Sequence, residues 1–228
     1  ASDAGSLVVE AGAGAAKTTT LGLYASARPR SRILYLAFNK SIQLEAAARM
    51  PPNVNCRTTH SIAWRKAAEL FGGEASQRVG KTYASSVART FRCGPLVATA
   101  ALQAIQNWCG SLSSQIDASH VPTDIAERLA DPGSVVEIAR ATWARMCRPD
   151  GGELRLPHDG YLKLFQMEEP TLRGQDLVAV DEAQDLNMCT YDIVRRQCGG
   201  LVLVGDSAQQ IFAFRGSANA LRIHEADH

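Results

Sequence analysis

The feature that most constrains this chain is an apolar run, Leu7, Val8 and Val9, that soon passes into a loop of small residues ending in Lys17 and Thr18. Gly12, Ala13, Gly14, Ala15 and Ala16 carry almost no side chain, so a tight turn there can point successive backbone N–H groups at one place. A helix starting near Lys17 adds the positive end of its dipole to the same point. Such a loop suits phosphate oxygens, with Lys17 reaching the β- and γ-phosphates and the Thr18 hydroxyl placed to ligate magnesium. The strict phosphate-loop pattern, G-x-x-x-x-G-K-S/T, has glycine where this chain has Ala11 and Ala16. Ala16 is the sharper departure, because its methyl group sits where the backbone passes closest to phosphate. Taken alone, residues 11–18 also fit a plain Ala/Gly turn before a helix.

A second element narrows the choice. Leu177, Val178, Ala179 and Val180 run directly into Asp181, Glu182, Ala183, Gln184 and Asp185. An aspartate after a buried strand is placed to hold magnesium, and the glutamate after it is placed to polarise an attacking water. Acidic residues are also favourable at any helix N-terminus, which is the plainer reading of the cluster.

Apolar, strand-length runs occur at 7–9, 33–38, 54–57, 177–180 and 201–204. Their nearly continuous apolarity predicts strands buried on both faces of a parallel sheet. Each run ends in distinctive polar chemistry: the small-residue loop, Asn39 and Lys40, Thr58 to His60, Asp181 and Glu182, and Gly205 and Asp206. Open α/β sheets bind their ligands beyond the carboxyl ends of the strands. After Gly205 and Asp206 come Gln209, placed to sense a γ-phosphate, then Phe212, Phe214 and Arg215. The two phenylalanines offer flat faces for base stacking, or are simply core residues.

Residues 63–150 read as a mainly helical insertion, with helical spacing over 96–108 and 134–146. Asp124 with Glu127, and Ser134 with Glu137, fit the capping-box pattern, and residues 131–133 break the chain between them. The first part of the insertion is basic, with Arg65, Lys66, Arg78, Lys81, Arg89 and Arg92 against Glu69 and Glu74. That stripe is either a solvated helix face or a contact surface for a phosphate backbone.

Global composition excludes more than it selects. The 228 residues can bury one large core or two small ones, and a formal charge of +1 names no partner. The six cysteines form no C-x-x-C pair or zinc-like spacing, so a reducing cytoplasmic compartment is expected, without a signal peptide or membrane span.

The order of these segments resembles the first motor domain of superfamily 1 DNA helicases of the UvrD/Rep group. Residues 12–18 resemble motif I, 37–40 motif Ia, 58–61 motif Ib, 181–185 motif II in its D-E-x-Q-D form, and 205–216 motif III. Residues 158–166 and 212–221 look particularly like the F-box DNA helicases and their bacterial counterparts. The resemblance implies a RecA-like P-loop NTPase fold over 1–62 and 151–228, with the insertion at 63–150. It implies ATP and Mg2+ as cofactors, with Lys17, Glu182 and Gln209 catalytic and Thr18 and Asp181 on the metal. Gly12, Ala13, Gly14, Ala15, Ala16, Lys17, Thr18 and Thr19 would bind the nucleotide. Phe38, Asn39, Lys40, His60, Phe214 and Arg215 would line a single-stranded DNA track. For His60, a buried strand-end hydrogen-bond network is an equal alternative, and His158 and Asp159 would either fix the insertion's return to the sheet or have a direct functional role.

The implied activity is 3′-to-5′ ATP-dependent DNA unwinding or translocation in repair or recombination, nucleoid-associated in a bacterium and nuclear in a eukaryote. Family members close the ATP cleft with a second motor domain. Its motifs IV to VI have no room after Gly216, so the chain is expected to be a first motor domain with its helical insertion, cut from a larger helicase or surviving as a fragment. Two other classes stay open: a degenerate helicase-like domain that binds DNA or a partner without hydrolysis, and a kinase or transporter ATPase.

Overall fold

Five parallel strands lie in the order β1-β5-β4-β2-β3, where β1 is Ser6–Glu10, β2 Ile33–Ala37, β3 Val54–Thr58, β4 Leu177–Val180 and β5 Gly200–Gly205. This computed structural model describes residues 5–12, 17–129, 131, 133–197 and 199–206. The five apolar runs are the five strands. Burial separates them more finely than apolarity does: β2, β4 and β5 are buried almost throughout, whereas β1 and β3 lie at the ends of the order and are partly exposed.

The chain divides into two units, residues 1–62 with 168–228, and residues 63–167. In the first, α1 (Lys17–Ser26) follows the small-residue loop and α2 (Lys40–Arg49) follows β2. Strand alternation sends side chains to two layers. Ile33, Tyr35, Ala37, Leu177, Ala179, Val202 and Val204 pack with Leu21 and Ala25 of α1 and Ala46 of α2. Leu34, Leu36, Val178, Val180, Leu201 and Leu203 pack with Tyr191 and Val194 of a helix at Met188–Arg195. The family fold expected from the sequence, a parallel α/β sheet flanked by helices, is the fold observed.

The second unit is helical: the later part of α3 (Thr59–Phe71), α4 (Ala75–Arg78), α5 (Ala84–Phe91), α6 (Pro95–Cys109), α7 (Thr123–Ala126), α8 (Gly133–Met146) and α9 (His158–Met167), so that Met188–Arg195 is α10. Alanines at 98, 100, 101 and 104 bury the face of α6, and Trp108 meets Trp143 of α8 edge-on at 4.8 Å between ring centres. The unit ends at Met167, whereas the sequence placed the return at 151. Helix α9 belongs to the helical unit because its side chains bind there. Tyr161 meets Trp64 edge-on at 5.4 Å, and Gln106 donates to Asp159. Lys163, fully buried, donates to the Ser111 carbonyl at 2.8 Å and to Gln166 at 2.9 Å.

Two helix starts differ from expectation. Asp124 lies inside α7, whose cap is Pro122 without a side-chain bond. Ser134 lies inside α8, and it is Asp131 that accepts the Gly133 N–H at 2.9 Å. In both, the capping-box spacing is present but the helix begins before the expected cap residue.

Candidate active site

Residues 177 and 179 of β4 face α1, so Asp181, two positions further, leaves the strand toward the same side. There it meets the start of α1. The Thr18 hydroxyl donates to Asp181 Oδ2 at 3.0 Å. The Tyr35 phenol, from β2, donates to the same oxygen at 2.6 Å, and the Glu182 N–H donates to Oδ1 at 3.0 Å. Asp181 is only 5% exposed, so its charge depends on these donors. Burial, and then the Asp181 charge, pushes the Tyr35 phenol well above its ordinary value, so it stays a protonated donor.

Glu182 has left-handed backbone angles, φ 52° and ψ 45°, a conformation costing a non-glycine residue about 1–3 kcal/mol. The turn carries its carboxylate to Lys17, whose Nζ lies 3.1 Å from Oε2. Gln184 Nε2 donates to that same Oε2 at 2.8 Å, while Gln184 Oε1 accepts the Asp206 N–H at 3.0 Å. A backbone N–H demands an oxygen, which fixes the orientation of this buried amide. The amide thereby ties the end of β4 to the end of β5. Ala11 N–H donates to the Gly205 carbonyl at 2.9 Å, and a Cβ on Gly12 would stand 3.9 Å from Asp206 Oδ2. Three strand ends, β1, β4 and β5, therefore converge here with the first turn of α1.

The structure thus gathers Gly12, Lys17, Thr18, Asp181 and Glu182. Thr19 is exposed on α1. Ala13, Gly14, Ala15, Ala16, Gln209, Phe212, Phe214 and Arg215 lie outside the described residues.

The other strand ends form a separate group. Phe38 is 39% exposed just past β2. Asn39 caps α2 by accepting the Ile42 N–H at 2.9 Å, and Lys40 donates to Gln43 at 2.7 Å. At β3, Thr58 and Ser61 bond reciprocally, with Ser61 N–H donating to Thr58 Oγ1 at 3.2 Å and Ser61 Oγ donating to the Thr58 carbonyl at 2.8 Å. Thr59 and His60 are thus the first helical residues of α3, with His60 half-buried. The polar residues of these two ends are, at least in part, helix starts.

Within the helical unit the basic stripe is not one surface. Arg78 is 6% exposed and donates to the carbonyls of Gly152 at 2.6 Å, Arg148 at 3.0 Å and Leu154 at 2.9 Å. Arg89 pairs with Glu153, Lys66 with Glu69 at 3.2 Å, and Arg65 lies over the Phe165 ring. Arg78 is a structural clamp, which sequence periodicity alone could not reveal.

Sequence reasoning gave Tyr35 no role and gave Gln184 only a place in a motif. Strand parity relates Tyr35 to Asp181, since Tyr35 pairs with Ala179 in register. Thr18 and Asp181 present hard oxygen donors on adjoining elements, which fits magnesium held by one carboxylate, one hydroxyl, waters and substrate phosphates. No cluster of three or more His, Cys, Asp or Glu side chains among the described residues forms a metal cage of its own.

Residues 167–227 match the UvrD/REP helicase N-terminal domain family. A Gallus gallus protein described as F-box DNA helicase 1 is 34% identical over 229 residues, covering 92% of this chain and 22% of that protein. F-box DNA helicase protein 1 of Schizosaccharomyces pombe is 29% identical over 240 residues, covering 96% of this chain and 27% of its own length. The chain thus spans about a quarter of the length of the curated relatives it matches.

Proposed function

The chain belongs to the UvrD/Rep-like helicases, and from that premise we propose that it forms the first motor domain of a 3′-to-5′ ATP-dependent DNA helicase. The observation that carries the reading is the pairing of two distant motifs: Thr18 with Asp181 at 3.0 Å and Lys17 with Glu182 at 3.1 Å. A phosphate loop and an acidic strand end are useful to each other only when they share a site.

In this reading Lys17 and the loop N–H groups bind the β- and γ-phosphates. Thr18 and Asp181 hold magnesium, which when bound neutralises phosphate charge. Glu182 takes the proton of the attacking water, and Gln209 links the γ-phosphate to DNA. Phe38, Asn39, Lys40, His60, Phe214 and Arg215 line the single-strand track, with Asn39 also serving as a helix cap. A second motor domain closes the cleft and supplies arginines, a contribution on the order of 10³–10⁵ in rate in other nucleotide hydrolases. Repair or recombination, in the nucleus or nucleoid, is the setting this reading carries.

The test is ATP turnover by the full-length protein with and without single-stranded DNA, beside Glu182→Gln. DNA-stimulated turnover that collapses in the variant supports the reading. DNA binding without turnover would make this a binding module, and turnover indifferent to DNA a different class of P-loop enzyme.

A further inference from the structure

Building on that reading, we infer that Tyr35 is a positioning residue for the metal carboxylate, holding Asp181 in the geometry that receives magnesium. The ring of Tyr35 fills the core between β2 and α1 at 1% exposure, a task phenylalanine could do equally well. Its hydroxyl does something more. It ends 2.6 Å from Asp181 Oδ2, the oxygen that also accepts from Thr18 at 3.0 Å. With the Glu182 N–H on Oδ1 at 3.0 Å, the carboxylate is fixed by donors from α1, β2 and its own strand end.

The two donors on Oδ2 differ in kind. Thr18 Oγ1 is itself an expected metal ligand, so its bond to Asp181 would be exchanged for the cation. Tyr35 is anchored by the packed sheet and holds the oxygen from β2, independently of α1. It would therefore keep Oδ2 in one orientation when a cation binds. Outer partners of ligating carboxylates typically affect metal affinity or activity by about 10–100-fold when removed.

The experiment uses the full-length protein and Tyr35→Phe, which keeps the ring and so keeps the fold. Binding of a fluorescent ATP analogue is titrated with Mg2+, and Mn2+ occupancy with the same nucleotide is followed by electron paramagnetic resonance. The expected result is a half-saturating Mg2+ concentration raised about tenfold, with metal-free nucleotide affinity unchanged. Saturating Mg2+ should restore most of the DNA-stimulated turnover. Superimposable metal titrations of wild type and variant overturn the inference. A uniform loss of nucleotide affinity with and without metal also overturns it, because that pattern marks a packing role. If the wild-type protein binds nucleotide with no dependence on Mg2+, the proposed function itself fails and the inference falls with it.

Discussion

Lys17 and Glu182, 165 positions apart in sequence, meet at 3.1 Å in a site where the lysine side chain is only 10% exposed. In the proposed function each occupies the group that the other would need for chemistry. Phosphate oxygens would offer Lys17 a more highly charged partner, and its departure would free Glu182 to accept a proton. Glu182→Gln should therefore keep or slightly improve nucleotide affinity while slowing single-turnover hydrolysis by about 10²–10⁴-fold, the usual contribution of a general base. Lys17→Ala should instead weaken binding itself. Equal loss of binding in both variants, read by equilibrium titration, would mean that the ion pair supports the loop and does not serve catalysis.

Gln184 sits at the next link. It is 2% exposed and uses both ends of its amide, one on Glu182 and one on the Asp206 N–H. Gln184→Ala strands a buried backbone donor, a cost of about 1–3 kcal/mol. At roughly 2–4 °C per kcal/mol for a domain of this size, thermal melting should fall visibly. Gln184→Glu sets a second carboxylate against Glu182 and should melt lower still at neutral pH, with partial recovery in acid. An unchanged melt for both would show that water replaces the bridge at no cost.

The sheet was legible because parallel strands buried on both faces write themselves as unbroken apolar runs, as in β2, β4 and β5. Lys17, Thr18, Asp181 and Glu182 were legible because their chemistry follows such runs directly. Tyr35 was not. A tyrosine among Ile33, Leu34, Leu36 and Ala37 looks like core until the register with β4 shows what its hydroxyl reaches. Arg78 misled for a related reason: it reads as part of a basic surface stripe, yet it is buried on backbone carbonyls supplied from elsewhere in the helical unit. Asn39 was read from its place just after an apolar run, and two residues past β2 its side chain caps α2.

Burial pushes the Cys147 thiol up from 9.0 to about 12. At pH 8 that leaves about a thousandfold less thiolate than in an unshifted thiol, since each pKa unit is a factor of ten. Alkylation of Cys147 in the folded protein, followed by peptide mass spectrometry, should be correspondingly slow and should accelerate in urea. The folded value is raised, so this group's stabilising contribution is complete below the ordinary thiol range. It is lost as pH climbs from about 9 toward 12. Fast labelling of native protein at pH 8 would contradict the burial.

Arg78 separates structure from nucleic-acid binding within the basic stripe. Its guanidinium reaches three carbonyls, of Gly152, Arg148 and Leu154, and beside it Gly151 leaves no room for a Cβ against the Arg145 carbonyl. Bonds from a charged donor are worth about 1.5–3 kcal/mol each. Arg78→Ala should therefore lower the melting temperature by several degrees. Lysine should not rescue it, because a single ammonium lacks the fork that spans separate acceptors. The salt dependence of single-stranded DNA binding by the full-length protein should keep its slope in Arg78→Ala. Removing a cation that truly contacts phosphate reduces that slope by about 1. A stable Arg78→Ala protein with a reduced salt slope would move Arg78 from the interior clamp to the DNA surface.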